Sequence, residues 1–334
     1  MIMAVENYVG IDVSKLSFDA FIKTNNAHKQ FKNENCGFEA LVLWLHKQLG
    51  TSLDSVLVCF EHTGLYSLPL ALYLEKEQIP FAMISALEIK KSLGITRGKN
   101  DRIDSKRIAD FAARFQDKIS VTKLPAADIR KIHSLLTLRE RLAMNLKGYT
   151  VSRNETLRTT SKEDFPELFS TYENMIIGLK TEIKKLEREI RDIVMNNDQL
   201  RRTFELITTI KGIGFIIASF LIVYTYNFTR FPDWRKFACY AGIAPFEYQS
   251  GTSVHRRTQV SSIANRQVKK MLHLAAVTAV HFDTELHTYY LRRQAEGKAK
   301  MAVINIIRNK LAARVFAVVK RGTPFVDIKK YAAS

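Results

Sequence analysis

Two short apolar runs in the first sixty residues each end on a carboxylate, and that feature limits the fold more than any other. Tyr8-Val9-Gly10-Ile11 stops at Asp12, and Val56-Leu57-Val58-Cys59-Phe60 stops at Glu61. Runs of this length, rich in β-branched and aromatic residues, read as buried strands. An ionised carboxylate at the end of such a strand is costly unless a cation or hydrogen bonds compensate it. A second pair, Asp101 and Asp104, lies in Lys99-Asn100-Asp101-Arg102-Ile103-Asp104-Ser105-Lys106-Arg107.

Around these carboxylates the first 125 or so residues alternate strand-like and helix-like patterns. Residues 5–13, 17–23 and 29–33 read as three consecutive strands, the first two joined by a tight turn at 14–16. Residues 38–49 have helical periodicity through Leu41, Leu45 and Leu49. Strands follow at 55–60 and 80–85, and helices at 68–76, 88–93 and 105–115. Three strands in a meander, then helix, strand, helix, strand, is the order of the ribonuclease-H-like fold.

The rest of the chain differs in character. Between 126 and 204 the residues Ile176, Leu179, Ile183, Leu186, Ile190 and Ile193 form an a/d stripe. Leu135, Leu138, Leu142 and Leu146 suit a facing helix, with a break near 159–164. Both an intramolecular hairpin and a dimerising coiled coil fit this pattern. From 205 to 334 the sequence is helical and basic. Residues 201–334 carry 22 Lys and Arg against 7 Asp and Glu, within a chain whose formal charge is +18. So lopsided a distribution points to a polyanion, most plainly nucleic acid. The chain thus divides into 1–125, 126–204 and 205–334, a multidomain α/β plus all-α protein.

Three scattered cysteines suit neither a disulfide framework nor a zinc site, which fits a reducing cytoplasm. Glu6 and Asp12 interrupt any signal-peptide core, and the uncharged stretch 212–229 is short for a span, so no membrane partner is expected.

The chemistry follows from the residue types. Phosphodiester cleavage needs its attacking and leaving oxygens stabilised, and a pair of Mg²⁺ ions can do both. Mg²⁺ takes hard oxygen ligands, so Asp12, Glu61, Asp101 and Asp104 converging on one edge would suffice. Asp101 and Asp104 also allow a plainer reading, with Asp104 as the N-cap of the 105–115 helix. Ile210-Lys211-Gly212-Ile213-Gly214 resembles a helix-hairpin-helix turn, in which backbone amides approach a phosphate. Ser250, in Tyr248-Gln249-Ser250-Gly251-Thr252-Ser253 and ahead of Arg256 and Arg257, is either a nucleophile beside phosphate-binding arginines or a residue of a polar loop. Arg256, Arg257, Arg266, Lys269 and Lys270 are candidates for backbone contact.

Several blocks together resemble the DEDD-type insertion-sequence transposases, a family that includes the Piv-type site-specific invertases. They are Gly10-Ile11-Asp12-Val13-Ser14-Lys15, Phe60-Glu61-His62-Thr63-Gly64 and Lys99 through Ala109. Ile210 through Gly214, Phe237 through Pro245 and Ser250-Gly251 follow in order. The resemblance implies a RuvC-like N-terminal domain, a coiled-coil middle and a C-terminal transposase domain. It implies Mg²⁺ on Asp12, Glu61, Asp101 and Asp104, and Ser250 as a nucleophile forming a phosphoserine link. It further implies donor and target DNA, a guiding bridge RNA, and a dimer of dimers in which one subunit's metal site meets another's serine. The alternative is a RuvC-type junction nuclease that uses water and leaves Ser250 as a loop residue.

Overall fold

The computed structural model describes residues 5–50, 52–62, 64–92, 100–250 and 254–326, with side chains throughout except at 248–250 and 254–258. It divides into two compact units, residues 1–124 and 125–334.

The first unit is built on a mixed five-stranded sheet in the order β3-β2-β1-β4-β5. The strands are β1 (Asn7–Val13), β2 (Ser17–Ile22), β3 (His28–Lys32), β4 (Val56–Glu61) and β5 (Phe81–Ile84). β1, β2 and β3 pair antiparallel, whereas β1–β4 and β4–β5 are parallel. Helices α1 (Asn35–Leu49), α2 (Leu68–Lys76), α3 (Ala86–Ser92) and α4 (Asp101–Arg114) complete it. The arrangement is consistent with a ribonuclease-H-like domain. Alternation along β1 and β4 divides the apolar side chains between two layers. Val9, Ile11, Val58 and Phe60 pack with α1 and α2 residues such as Leu41 and Leu70. Tyr8, Leu57 and Cys59 pack with Ile108 and Phe111 of α4.

The helix at the second carboxylate pair begins earlier than the sequence pattern suggests. Asn100, extended in backbone, is the N-cap, and its side chain accepts from the Arg102 amide at 3.0 Å. Asp104 is therefore a first-turn residue and not the cap, so capping does not explain it.

The second unit opens with two long helices, α5 (Ala127–Thr156) and α6 (Pro166–Asn196). They form an intramolecular hairpin, cross-linked by Arg139 to Glu187 at 2.7 Å and Arg153 to Glu173 at 2.9 Å. Ile176, Ile183 and Ile190 are buried, whereas Leu138 is 46% exposed and lies off the seam. Helices α7 (Asp198–Thr208), α8 (Phe215–Thr225), α9 (Trp234–Tyr240), α10 (Arg266–Phe282), α11 (Thr284–Ala295) and α12 (Lys300–Arg321) follow. Their core is continuous with the base of the hairpin through Ile129, Ile132, Leu136, Ile190 and Val194. Of the segment read from sequence as a polar loop, the residues up to Ser250 belong to a strand, β6 (Pro245–Ser250), which pairs antiparallel with β7 (Val254–Val260). No helix among the described residues is long and apolar enough to cross a membrane.

Candidate functional site

The parallel register of β1 and β4 pairs Ile11 with Phe60, so Asp12 and Glu61 come next on adjacent strands at one sheet edge. Side chains alternate along a strand. Asp12 therefore shares its face with Tyr8 and Gly10, and Glu61 shares the same face with Leu57 and Cys59. Helix α4 covers that face.

Gly10 fixes how α4 lies. A Cβ there would stand 2.1 Å from the Ser105 carbonyl oxygen and 2.3 Å from the Ala109 amide, so only glycine admits the helix at this depth. Farther back, the Tyr8 hydroxyl donates to Gln116 Oε1 at 2.6 Å, just past the helix end. The helix thus runs against the direction of β1 and brings Asp101 and Asp104 over the end that carries Asp12.

The electrostatics record this convergence. The Asp12 carboxyl is pushed up to about 6, first by burial, then by the charges of Asp104, Asp101, Glu61 and Asp19. Asp104 accepts from Arg107 at 2.7 Å, one turn on. Positive charge at the α4 N-terminus partly offsets the acidic first turn. Asp19 was not singled out from sequence. It faces Asp12 across the β1–β2 ladder, is buried, and is held by His28 at 2.7 Å and Gln30 at 2.9 Å. Its signal was an acid at an inward position of an otherwise apolar strand.

Among the described residues no three His, Cys, Asp or Glu side chains stand close enough to hold a metal ion as they are. The donor set still suits a hard divalent cation. It offers four carboxylates, on one face, whose mutual repulsion such an ion would relieve.

The other candidates lie in the second unit. Ser250 ends β6 and pairs with Val254; Arg256 pairs with Tyr248, and Arg257 follows on β7. The side chains of these three candidates lie outside the described residues, as does the Gly251–Ser253 segment. Gly212 has a left-handed φ of +93° and sits against Ala275 and Ala279 of α10, while Gly214 is the extended N-cap of α8. Lys211 and Arg266 are exposed and Lys269 is half-buried. Lys270 is already paired with Glu140 of α5 at 3.2 Å, which lowers its availability to a phosphate.

Comparison with known proteins agrees with this layout. Residues 9–160 match the DEDD transposase model of IS110 elements, and residues 204–291 match the transposase model of the IS116/IS110/IS902 family. The chain is similar to the pilin gene-inverting proteins of Moraxella lacunata and Moraxella bovis. Each is 26% identical over 330 residues, covering 96% of this chain and 98% of the relative. It is also 34% identical over 119 residues to the 43.6 kDa insertion element IS110 protein of Streptomyces coelicolor, covering 35% of this chain and 29% of that one.

Proposed function

Because the chain belongs to the DEDD-type insertion-sequence transposases of the IS110 group, and is accordingly a DNA transposase or recombinase, we propose that it exchanges DNA strands through a covalent serine intermediate. The observation that supports its metal centre is the placing of Asp12 and Glu61 side by side at one sheet edge, with the acidic first turn of α4 brought toward them. In this reading the N-terminal unit is RuvC-like, and Asp12, Glu61, Asp101 and Asp104 hold a pair of Mg²⁺ ions. Divalent-metal use goes with the family, and the donor chemistry above supports it. Such ions, when bound, polarise the scissile phosphate and ease departure of the leaving oxygen.

Ser250 is the proposed nucleophile. Its Oγ forms an ester bond to phosphorus as the bond from phosphorus to the departing strand oxygen breaks. The serine proton is released and the leaving oxygen takes one up. One phosphodiester replaces another, so an incoming strand hydroxyl can reverse the step on a new partner without ATP. A serine hydroxyl needs activation near neutral pH, which accounts for pairing it with a charged centre.

Arg256, Arg257, Arg266 and Lys269, with the amides at Gly212 and Gly214, are the proposed backbone contacts, assisted by Lys211 and Lys270. The basic C-terminal part supports donor and target DNA, and a bridge RNA from the element, as ligands. Exposed Met144 and Val151 on α5 and Met175 and Ile177 on α6 support use of the hairpin as a coiled-coil oligomerisation element, within a dimer of dimers. The names of the Moraxella relatives support site-specific recombination.

The deciding test incubates purified protein with element-flanking RNA, junction DNA and Mg²⁺, then looks for protein–DNA adducts on a denaturing gel. An adduct present in wild type and lost in both Ser250→Ala and Asp12→Asn is the expected result. Cleaved DNA with no adduct would replace this mechanism by water attack.

A further inference from the structure

The serine hairpin is fastened to the helical core at its base. Two residues before β6, the carbonyl of Ile243 accepts from Asn305 Nδ2 and from Asn309 Nδ2, each at 2.9 Å. Both asparagines lie on α12, one turn apart. Between them Arg308 donates from Nη1 to Asn305 Oδ1 at 3.4 Å, which sets the amide so that its NH₂ faces Ile243. The same guanidinium donates from Nη2 to His273 Nδ1 of α10 at 2.7 Å.

Arg308 is only 6% exposed, and no ion pair to it is found among the described residues. Keeping a cation in a core without a counter-charge is expensive, so its retention points to what it orders.

The exit of the hairpin is fastened as well. The Asn265 amide donates to the Tyr240 carbonyl at 2.9 Å, and Asn265 Nδ2 donates to the Tyr240 hydroxyl at 2.8 Å. Gly242, at a φ of +64°, lies so close to Ala264 that a Cβ would stand 2.2 Å from the alanine methyl. Chain entering β6 and chain leaving β7 are thereby pressed together and tied to α9, α10 and α12.

This base sets the direction in which β6 leaves the core, ahead of a shift of register between Phe246 and Tyr248. β6 runs from Pro245 to Ser250, a lever of about 17 Å at the usual strand rise. A tilt of about 5° at the base would then move Ser250 by about 1.5 Å. A misplacement of about 1 Å between reacting groups can cost roughly 100-fold in rate.

We propose that Asn305 and Asn309 are positioning residues for strand transfer, fixing the tilt of the β6–β7 hairpin through the Ile243 carbonyl without touching DNA. The inference rests on the reading of Ser250 as nucleophile, and its test keeps the two apart. Asn305→Ala and Asn309→Ala each leave the carbonyl one donor, and Asn305→Ala also removes the Nη1 acceptor of Arg308, so Asn309→Ala is the cleaner single variant; the double variant removes both donors. Full-length proteins are compared for adduct formation at saturating protein and for affinity toward the same junction DNA and RNA, with Ser250→Ala alongside. Melting curves confirm that each variant is folded.

The expected adduct rates fall roughly 10-fold in each single variant and roughly 100-fold in the double, with affinity within about twofold of wild type. Wild-type rates in folded single variants would overturn the clamp while leaving the serine in place. Rate and affinity falling together would reveal a merely structural role and overturn it too. An adduct persisting in Ser250→Ala would overturn both readings.

Discussion

Asp12 shows how a proposed metal ligand can work against its own fold. Burial and four neighbouring carboxylates oppose its ionisation, so at neutral pH its charge opposes folding. Asp12→Asn keeps the shape and removes the repulsion. In metal-free protein we expect it to stabilise the N-terminal unit by on the order of 1 kcal/mol, after allowing for solvent screening at a group only partly buried. Urea unfolding with and without Mg²⁺ checks this: the variant should melt higher without metal and gain less from adding it. His273 makes the opposite case. Burial and the Arg308 cation both hold its pKa below the ordinary 6.5. The unfolded chain therefore takes up a proton that the native state refuses, so the contribution of this site is full above pH 6.5 and is lost as pH falls below it. A fall in melting temperature below that pH, blunted in His273→Gln, is the expected result; identical profiles would remove His273 as the cause.

Among the elements, α4 decides the site. Its sequence has ordinary helix signals, yet its usefulness comes from resting directly on β1 at Gly10. Gly10→Ala forces helix and strand apart, an overpacking cost of about 1–3 kcal/mol. Because the displaced helix carries Asp101 and Asp104, DNA cleavage should fall far more steeply than stability. Chemical denaturation beside a nicking assay separates the two effects; cleavage intact in a destabilised variant would show that α4 does not place the acids. The α5–α6 hairpin is governed by a plainer rule. Its stripe was legible as periodicity, and which residues of the partner helix meet it was not, since Leu138 fits the spacing but points to solvent.

For the whole molecule, the uneven charge is the main consequence of composition. With 22 basic and 7 acidic residues after position 200, nucleic-acid binding should release many counterions. Affinity is expected to drop by roughly 10³-fold or more between 50 and 200 mM salt if six or more phosphates are neutralised. Electrophoretic mobility shifts across a salt series measure the slope. A nearly flat dependence would move recognition away from the basic surface.

Much of the first unit was legible because strand alternation and helix periodicity are local. Every strand and helix expected there exists, with ends shifted by a few residues. The chemical identity of the carboxylates was legible for the same reason, since an acid closing an apolar run is visible in a linear string. What the string withheld were facts of approach. Asp19 joins the acidic group only through the antiparallel β1–β2 register, and Asp101 and Asp104 join it only because Gly10 lets α4 sit on the sheet. The hairpin bearing Ser250 was hidden by polar and glycine residues that read as a loop, and its clamp lies some sixty residues farther along, at Asn305 and Asn309. Sequence by itself determined the elements of the first unit and the chemistry available on them, because propensity and periodicity act between near neighbours. Only the tertiary structure decided which charges meet and which carbonyl is held, because those depend on packing between segments far apart in the chain.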